Sequence, residues 1–102
     1  MQQKFTGTGI AIVTPFLEDN RTIDWGTYEN LINFWIENEV EYLVVCGTTG
    51  ESATLTREEE QEVFTFVKRV TNSRVPLVAG IGGNDTFEVL EAFKAMDLTG
   101  YD

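Results

Sequence analysis

The stretch LVVCGTTGES, residues 43–52, decides the fold, because it joins a short apolar run to a polar loop that contains two glycines. Similar apolar runs, IAIV at 10–13 and LVA at 77–79, place successive starts 33 and 34 residues apart. Continuously apolar runs are typical of parallel strands that are buried on both faces. Each run is short and is bounded by glycine, proline or threonine, which argues against a helix. The sequence therefore predicts buried strands at Ile10–Val13, Leu43–Cys46 and Leu77–Ala79.

Helical spacing predicts two helices between these strands. Asp24 is placed to cap the first helix, and the segment TREE at 56–59 has the pattern of a capping box that opens the second. The acidic run EEEQE at 58–62 is expected to form a solvated face of the second helix. The apolar residues expected on the buried faces are Trp25, Tyr28, Leu31, Ile32, Trp35 and Ile36 in the first helix and Val63, Phe64, Val67 and Val70 in the second.

A third helix is predicted after the third strand, with its start at Asp85 or Thr86. Gly100 is expected to end the connection that follows this helix, since glycine is the usual residue at such stops. The apolar residues expected to turn inward from the third helix are Phe87, Leu90 and Phe93.

Strand–helix units of about 34 residues are the repeating element of two α/β architectures. A doubly wound sheet uses about five such units, whereas a TIM (βα)8 barrel uses eight, which at this size gives roughly 270 residues and approaches the usual barrel length of about 250. The predicted fold class is therefore α/β, and residues 1–102 are expected to be the first three units of a single (βα)8-barrel domain that stops before strand 4. Such a segment leaves two sheet edges and an apolar face uncovered, so we expect marginal stability or self-association.

Composition narrows the classes of function. The chain has 102 residues, 42% hydrophobic and 24% charged, as expected of one globular domain. Its formal net charge of −10 disfavours nucleic acid and anionic membranes as partners. A spanning segment and a signal peptide are not recognisable, so a cytoplasmic location is expected. With one cysteine and no histidine, neither an internal disulfide nor a metal site is expected.

The loops after the strands are the expected place for chemistry, because ligands bind at the carboxyl ends of parallel strands. In GTTG at 47–50, glycine allows backbone N–H groups to converge on an anion, and the threonines add hydroxyl donors. This loop is either a plain turn or a site for a small carboxylate; it lacks the lysine of a nucleotide-binding P-loop. The loop GIGGND at 80–85 is either a tight turn with a helix cap or a close backbone approach to a ligand.

No lysine is placed to act as a nucleophile at a strand end. Lys4 precedes the first strand, and Lys68 and Lys94 fall within predicted helices, so no lysine of this chain is expected to form a Schiff base. Cys46 ends the second strand without a visible partner base, and we expect a buried apolar residue rather than a nucleophile.

Three segments resemble the amino-terminal part of the dihydrodipicolinate synthase family, also called 4-hydroxy-tetrahydrodipicolinate synthases. They are GIAIVTPF at 9–16, VCGTTGESATL at 45–55 and VPLVAG at 75–80. The run GTTGES is specific to this subgroup of class I pyruvate aldolases, whereas the similar N-acetylneuraminate lyases usually carry serine at the first hydroxyl position. Another pyruvate aldolase, and a non-catalytic fragment that self-associates, remain the alternatives.

The resemblance implies a (βα)8 lyase that condenses pyruvate with aspartate semialdehyde in lysine and diaminopimelate biosynthesis, without a cofactor and as a homotetramer. A lysine on a later strand would form the Schiff base with pyruvate. By the same resemblance, the pyruvate carboxylate would rest on Gly47, Thr48 and Thr49, and the Thr48 hydroxyl would join a catalytic proton relay.

The resemblance also implies a possible regulatory site for lysine as an inhibitor. Ser52, Ala53, Asn84 and Glu88 match positions of a lysine pocket that some members have at a subunit interface. From their place in the sequence alone, Asn84 and Glu88 are equally the cap and first-turn acid of the third helix. This chain departs from the family pattern at two positions of this site. Members that are inhibited by lysine often carry histidines there, whereas this chain has Arg57 and Glu60.

Overall fold

A computed structural model describes residues 5–19 and 21–102. Lys4 lies outside the described residues. In chain order, the elements are β1 (Gly9–Ala11), α1 (Trp25–Glu37), β2 (Tyr42–Val45), a single 3₁₀ turn (Ser52–Thr54), α2 (Arg57–Thr71), β3 (Leu77–Ala79) and α3 (Thr86–Ala95). The three strands form one parallel sheet in the order β1-β2-β3. The predicted alternation of strands and helices is confirmed, and the arrangement is consistent with part of a barrel.

The strands lie where the apolar runs predicted them, but both ends of β1 and of β2 differ, and β2 begins at Tyr42, one residue early. β1 begins at Gly9, one residue early, and stops at Ala11, although the amide of Ile12 still donates to Val44 at 3.0 Å. β2 stops before Cys46, because that residue has a φ of +59°, which extended backbone does not allow.

Within the described residues, the helices cover only one face of the sheet. The covered face carries Ile12, Leu43, Val45 and Leu77, which are all buried. On the other face, Val13 is exposed, because α1 and α2 both pack on the same side of the sheet. This is the uncovered apolar face that the sequence predicted for three isolated units.

The first two helices begin at the predicted caps. The Asp24 carboxylate accepts from the amide of Thr27 at 3.1 Å, and Thr56 and Glu59 form a complete capping box, with bonds of 2.9 and 3.0 Å. The helices pack against each other, and α2 also packs against β2. The apolar side chains that they bury completely are Tyr28 and Ile32 in α1 and Val63, Phe64 and Val67 in α2, all of them predicted.

The third helix begins as predicted, at Thr86 with Asp85 as its cap, but it presents a different face. Phe87, Leu90 and Phe93, expected to turn inward, are 69%, 48% and 57% exposed. Val89 is the residue that turns toward the fold, against Gly83. The periodicity identified an apolar face correctly, but spacing does not specify which neighbour covers that face.

After α3 the chain returns to the sheet. Gly100 has a φ of +92° and lies in a turn, five residues beyond the end of α3, so it ends the connection and not the helix itself. The amide of Asp102 then donates to Leu77 at 2.8 Å, at the edge of β3 that faces away from β2. Residue 102 therefore lies where a fourth parallel strand would begin. Among the described residues, no helix combines the length and apolarity needed to cross a membrane.

Candidate carboxylate loop and adjoining groove

The loop of residues 47–50 leaves the carboxyl end of β2 as a tight turn. The amide of Gly50 donates to the Gly47 carbonyl, and the amide of Glu51 donates to the Thr48 carbonyl, both at 3.0 Å. Thr48 and Thr49 are exposed at the tip. Their backbone N–H groups bond to no other described residue, so the turn presents two free amides and two hydroxyls on one short segment. These donors suit a small anion.

Two non-glycine residues in the left-handed region bracket this loop. Cys46 has a φ of +59° and Glu51 a φ of +60°. This conformation costs a residue with a side chain about 1–2 kcal/mol, and such strain persists only where the surroundings impose it. This strain is not predictable from sequence, since glycine is the residue expected at positive φ. The loop therefore has an imposed shape and does not adapt freely.

Backbone contacts lock the loop to the neighbouring strand ends. A Cβ added at Gly50 would lie 3.1 Å from the carbonyl oxygen of Ile12, and one added at Gly80 would lie 2.8 Å from that of Cys46. The amide of Gly80 also donates to Val45 at 2.7 Å. The loop after β3 ends in a helix cap at Asp85, as one of its two interpretations predicted. The close approach at Gly80 is to the protein backbone after β2, and the approach to a ligand stays a prediction.

Cys46 is buried beneath the loop, as predicted. Burial, with a smaller contribution from the nearby carboxylate of Glu60, raises the pKa of its thiol to about 12. A thiol with this pKa stays protonated at neutral pH and is a poor nucleophile. Cys46 therefore contributes packing and backbone shape.

The four residues of the predicted regulatory site line one groove beside the loop. Ser52 and Ala53 come from the 3₁₀ turn, and Asn84 and Glu88 from the start of α3, around a cavity of about 580 Å³. Thr48 also lines this cavity, so the groove reaches the carboxylate loop. The helix cap is Asp85 and not Asn84, which corrects the structural role expected for Asn84. Glu88 is the first-turn acid of α3, as expected.

Arg57 lines the groove, and its side chain forms hydrogen bonds on both sides of it. One guanidinium nitrogen donates to Glu60 Oε1 at 3.0 Å, and another donates to the Gly82 carbonyl at 2.9 Å. The second bond joins the start of α2 to the loop after β3. The arginine thus fixes the width of the groove.

Glu60 is buried, and the expectation of a solvated acidic face is wrong at this position. The residue is 2% exposed, and its second carboxylate oxygen, Oε2, has no hydrogen-bond partner among the described residues. Burial raises its pKa, while the charge and hydrogen bond of Arg57 act in the opposite direction. The sequence signal for this pair was the i, i+3 spacing between Arg57, which directly precedes the acidic run, and Glu60 within it.

We expect Glu60→Gln to raise the free energy of unfolding at neutral pH. Because burial raises the folded-state pKa of this acid above its ordinary value of 4.5, its favourable contribution is complete below that value and is lost as the pH rises through the folded-state pKa. Each unit of the shift corresponds to about 1.4 kcal/mol. Glutamine carries no charge, and its side-chain oxygen can still accept from Arg57.

Urea unfolding at several pH values between about 4 and about 8 tests this expectation. Glu62→Gln, at an exposed position of the same helix, is the matched control and should leave the pH dependence unchanged. If Glu60→Gln retained the full pH dependence of the parent chain, the buried carboxyl would not be its source.

Lys68 and Lys94 lie within α2 and α3, as predicted. Lys94 is exposed and lies 3.9 Å from Glu91, while the stem of Lys68 lies beside Gly100. Neither lysine lies at the carboxyl end of a strand.

Parallel strand–helix units, with donor-rich loops at the carboxyl ends of the strands, define an α/β protein that is consistent with part of a barrel and carries a candidate anion site. Comparison with known proteins makes this specific, because the model of the dihydrodipicolinate synthetase family matches residues 4–102. The chain belongs to that family, and it corresponds to the amino-terminal portion of its members.

Individual relatives support the assignment. The chain is 46% identical over 98 residues to the 4-hydroxy-tetrahydrodipicolinate synthase of Cytophaga hutchinsonii, which covers 96% of this chain and 33% of the relative. The chloride-inhibited dihydrodipicolinate synthase from Acinetobacter baumannii, solved with pyruvate, superposes with a TM-score of 0.82 at 44% identity over 87% of this chain and 30% of that one. The enzyme from Cyanidioschyzon merolae, solved with lysine bound, gives 0.79 at 41% identity over 90% and 32%. The chain thus spans about a third of the length of these relatives.

Proposed function

We propose that this segment supplies the pyruvate-carboxylate loop of a dihydrodipicolinate synthase. The complete enzyme would condense pyruvate with aspartate semialdehyde through a lysine Schiff base, within a (βα)8 barrel of which these residues are the first three units. The observation that carries the proposal is the pair of free amides at Thr48 and Thr49, held beyond β2 by left-handed residues on either side. The Acinetobacter baumannii relative, solved with pyruvate, supports the choice of substrate.

The proposed roles follow from what each group offers. Backbone N–H groups give charge-assisted hydrogen bonds to a carboxylate, and these are about twice as strong as neutral ones. Gly47, without a side chain, leaves the approach to the amides open. A threonine hydroxyl both donates and accepts, so it can hold the substrate and also pass a proton. The resemblance to the family assigns the proton relay to Thr48, and we propose that Thr49 only binds.

We also propose that the groove beside the loop is a regulatory site for lysine. The negative charges of Glu60 and Glu88 would pair with ammonium groups, and Ser52 and Asn84 offer neutral hydrogen bonds. The relative from Cyanidioschyzon merolae with lysine bound favours this ligand. Since family pockets of this kind lie at a subunit interface, the complete enzyme is proposed to be a homotetramer.

Trapping with borohydride tests the proposed reaction. The longest natural polypeptide that contains these residues, called the full-length polypeptide below, is incubated with pyruvate and reduced, and its intact mass is measured alongside that of the 102-residue chain. We expect one reduced pyruvate on the full-length polypeptide and none on the 102-residue chain. An adduct on the shorter chain would overturn the placement of the nucleophile, and its absence from both would overturn the proposed chemistry.

A further inference from the structure

Two buried hydroxyls, those of Thr14 and Tyr28, lie beneath the carboxylate loop. The Thr14 hydroxyl, at the end of the segment that follows β1, faces the Tyr28 hydroxyl of α1, and both residues are buried. Neither oxygen meets a partner with hydrogen-bonding geometry among the described residues. Burial raises the pKa of Tyr28, so its phenol keeps its proton.

These hydroxyls lie against both ends of the loop. A Cβ added at Gly50 would lie 3.4 Å from Thr14 Oγ1, so the threonine oxygen contacts the last residue of the turn. Tyr28 also lies near Cys46, which comes just before the turn. The hydroxyl pair therefore underlies the segment that carries the free amides of Thr48 and Thr49.

Keeping these oxygens without partners is costly. An unsatisfied buried hydroxyl costs about 1–3 kcal/mol, whereas replacing both members of a pair by apolar groups of the same shape can be neutral or stabilising. Valine and phenylalanine would fill the same space as Thr14 and Tyr28. Buried unsatisfied groups in native proteins call for an explanation, and packing does not provide one here.

We propose that Thr14 and Tyr28 are positioning residues for the carboxylate loop. With an anion on the amides above, the Thr14 hydroxyl donates to the backbone of the loop from below, and Tyr28 donates in turn to Thr14. Carbonyl groups of this turn can accept a second hydrogen bond, because each carbonyl oxygen has two lone pairs, and chained hydrogen bonds strengthen one another. This inference rests on the proposed function, since it assumes that the loop binds a carboxylate.

The test uses Thr14→Val, Tyr28→Phe and the double variant in the full-length polypeptide, with steady-state kinetics and urea unfolding. We expect KM for pyruvate to rise about tenfold, kcat and KM for the second substrate to change much less, and the free energy of unfolding to stay constant or increase. The double variant should lose no more than the larger single effect, because the two hydroxyls act as one unit. Thr14→Ser, which keeps the hydroxyl, should restore KM.

Thr71→Val provides the matched control. Its hydroxyl is also buried and without a partner among the described residues, but it lies at the last turn of α2, away from the loop. We expect this variant to leave KM unchanged. Lower stability with unchanged KM in Thr14→Val and Tyr28→Phe would overturn the positioning role.

Failure of the proposed function is distinguishable from failure of this inference. If the parent polypeptide bound no pyruvate, the proposed function would be wrong. The amide resonances of Thr48 and Thr49 in the parent and in both variants would then decide the inference. Resonances that shift in both variants and stay in place in Thr71→Val would support contact between the hydroxyls and the loop, and unchanged resonances would overturn it.

Discussion

Replacing Thr48 with valine is expected to lower kcat of the full-length polypeptide by about 100-fold or more. Valine has nearly the same shape as threonine, and the substitution leaves the backbone amide of residue 48 in the anion site. Only the hydroxyl is lost, and a positioned proton-transfer group contributes typically about 10²–10⁴-fold to the rate. The exposure of Thr48 at the tip of the turn means that no buried contact is lost with the hydroxyl. Steady-state kinetics with pyruvate and aspartate semialdehyde measures the effect.

The neighbouring threonine gives a matched control for this prediction. Thr49→Val should raise KM for pyruvate and spare kcat, because its hydroxyl only binds; a hydrogen bond to a charged group contributes about 1.5–3 kcal/mol, or roughly 10- to 100-fold in affinity. Thr48→Ser keeps a hydroxyl and should retain most of the activity. Equal losses of kcat in Thr48→Val and Thr49→Val would remove the distinction between a relay and a binding residue.

The parts of the fold that were predictable from sequence are those that local chemistry determines. The apolar runs placed all three strands, and Asp24 and Thr56 marked the starts of two helices, because capping depends on a few neighbouring residues. Tyr28 and Phe64 were correctly expected in the core, since a helix with one apolar stripe buries that stripe.

The features that were not predictable depend on contacts between distant segments. The outward face of α3, with Phe87 exposed, depends on which elements pack against that helix. The burial of Glu60 requires Arg57 and the loop after β3 to meet above α2. The positive φ of Cys46 is imposed by its surroundings, and because the residue is not glycine, the sequence does not indicate this conformation. The same holds for the candidate site. Its hydrogen-bond donors were predicted from the sequence, but the backbone conformation that positions them was not.

Gly80→Ala is expected to lower the free energy of unfolding of the full-length polypeptide by about 1–3 kcal/mol, the usual cost of overpacking a tight interior. The added methyl would lie 2.8 Å from the Cys46 carbonyl oxygen and 3.0 Å from its carbon. Both atoms are backbone, so no side chain can rotate away. The strands could separate only by stretching the 2.7 Å bond from the Gly80 amide to Val45.

Gly82→Ala separates crowding from the general effect of losing a glycine. No atom of the residues that the structure describes lies within 4 Å of a Cβ added at Gly82. Alanine also restricts the unfolded chain, so this variant should be neutral or stabilised by up to about 1 kcal/mol. Urea midpoints of the two variants, at matched slopes, give the comparison. Because Cys46 leads directly into the carboxylate loop, Gly80→Ala should also raise KM for pyruvate, whereas Gly82→Ala should not. Equal stability and equal KM in the two variants would mean that the contact between the ends of β2 and β3 does not hold the loop in place.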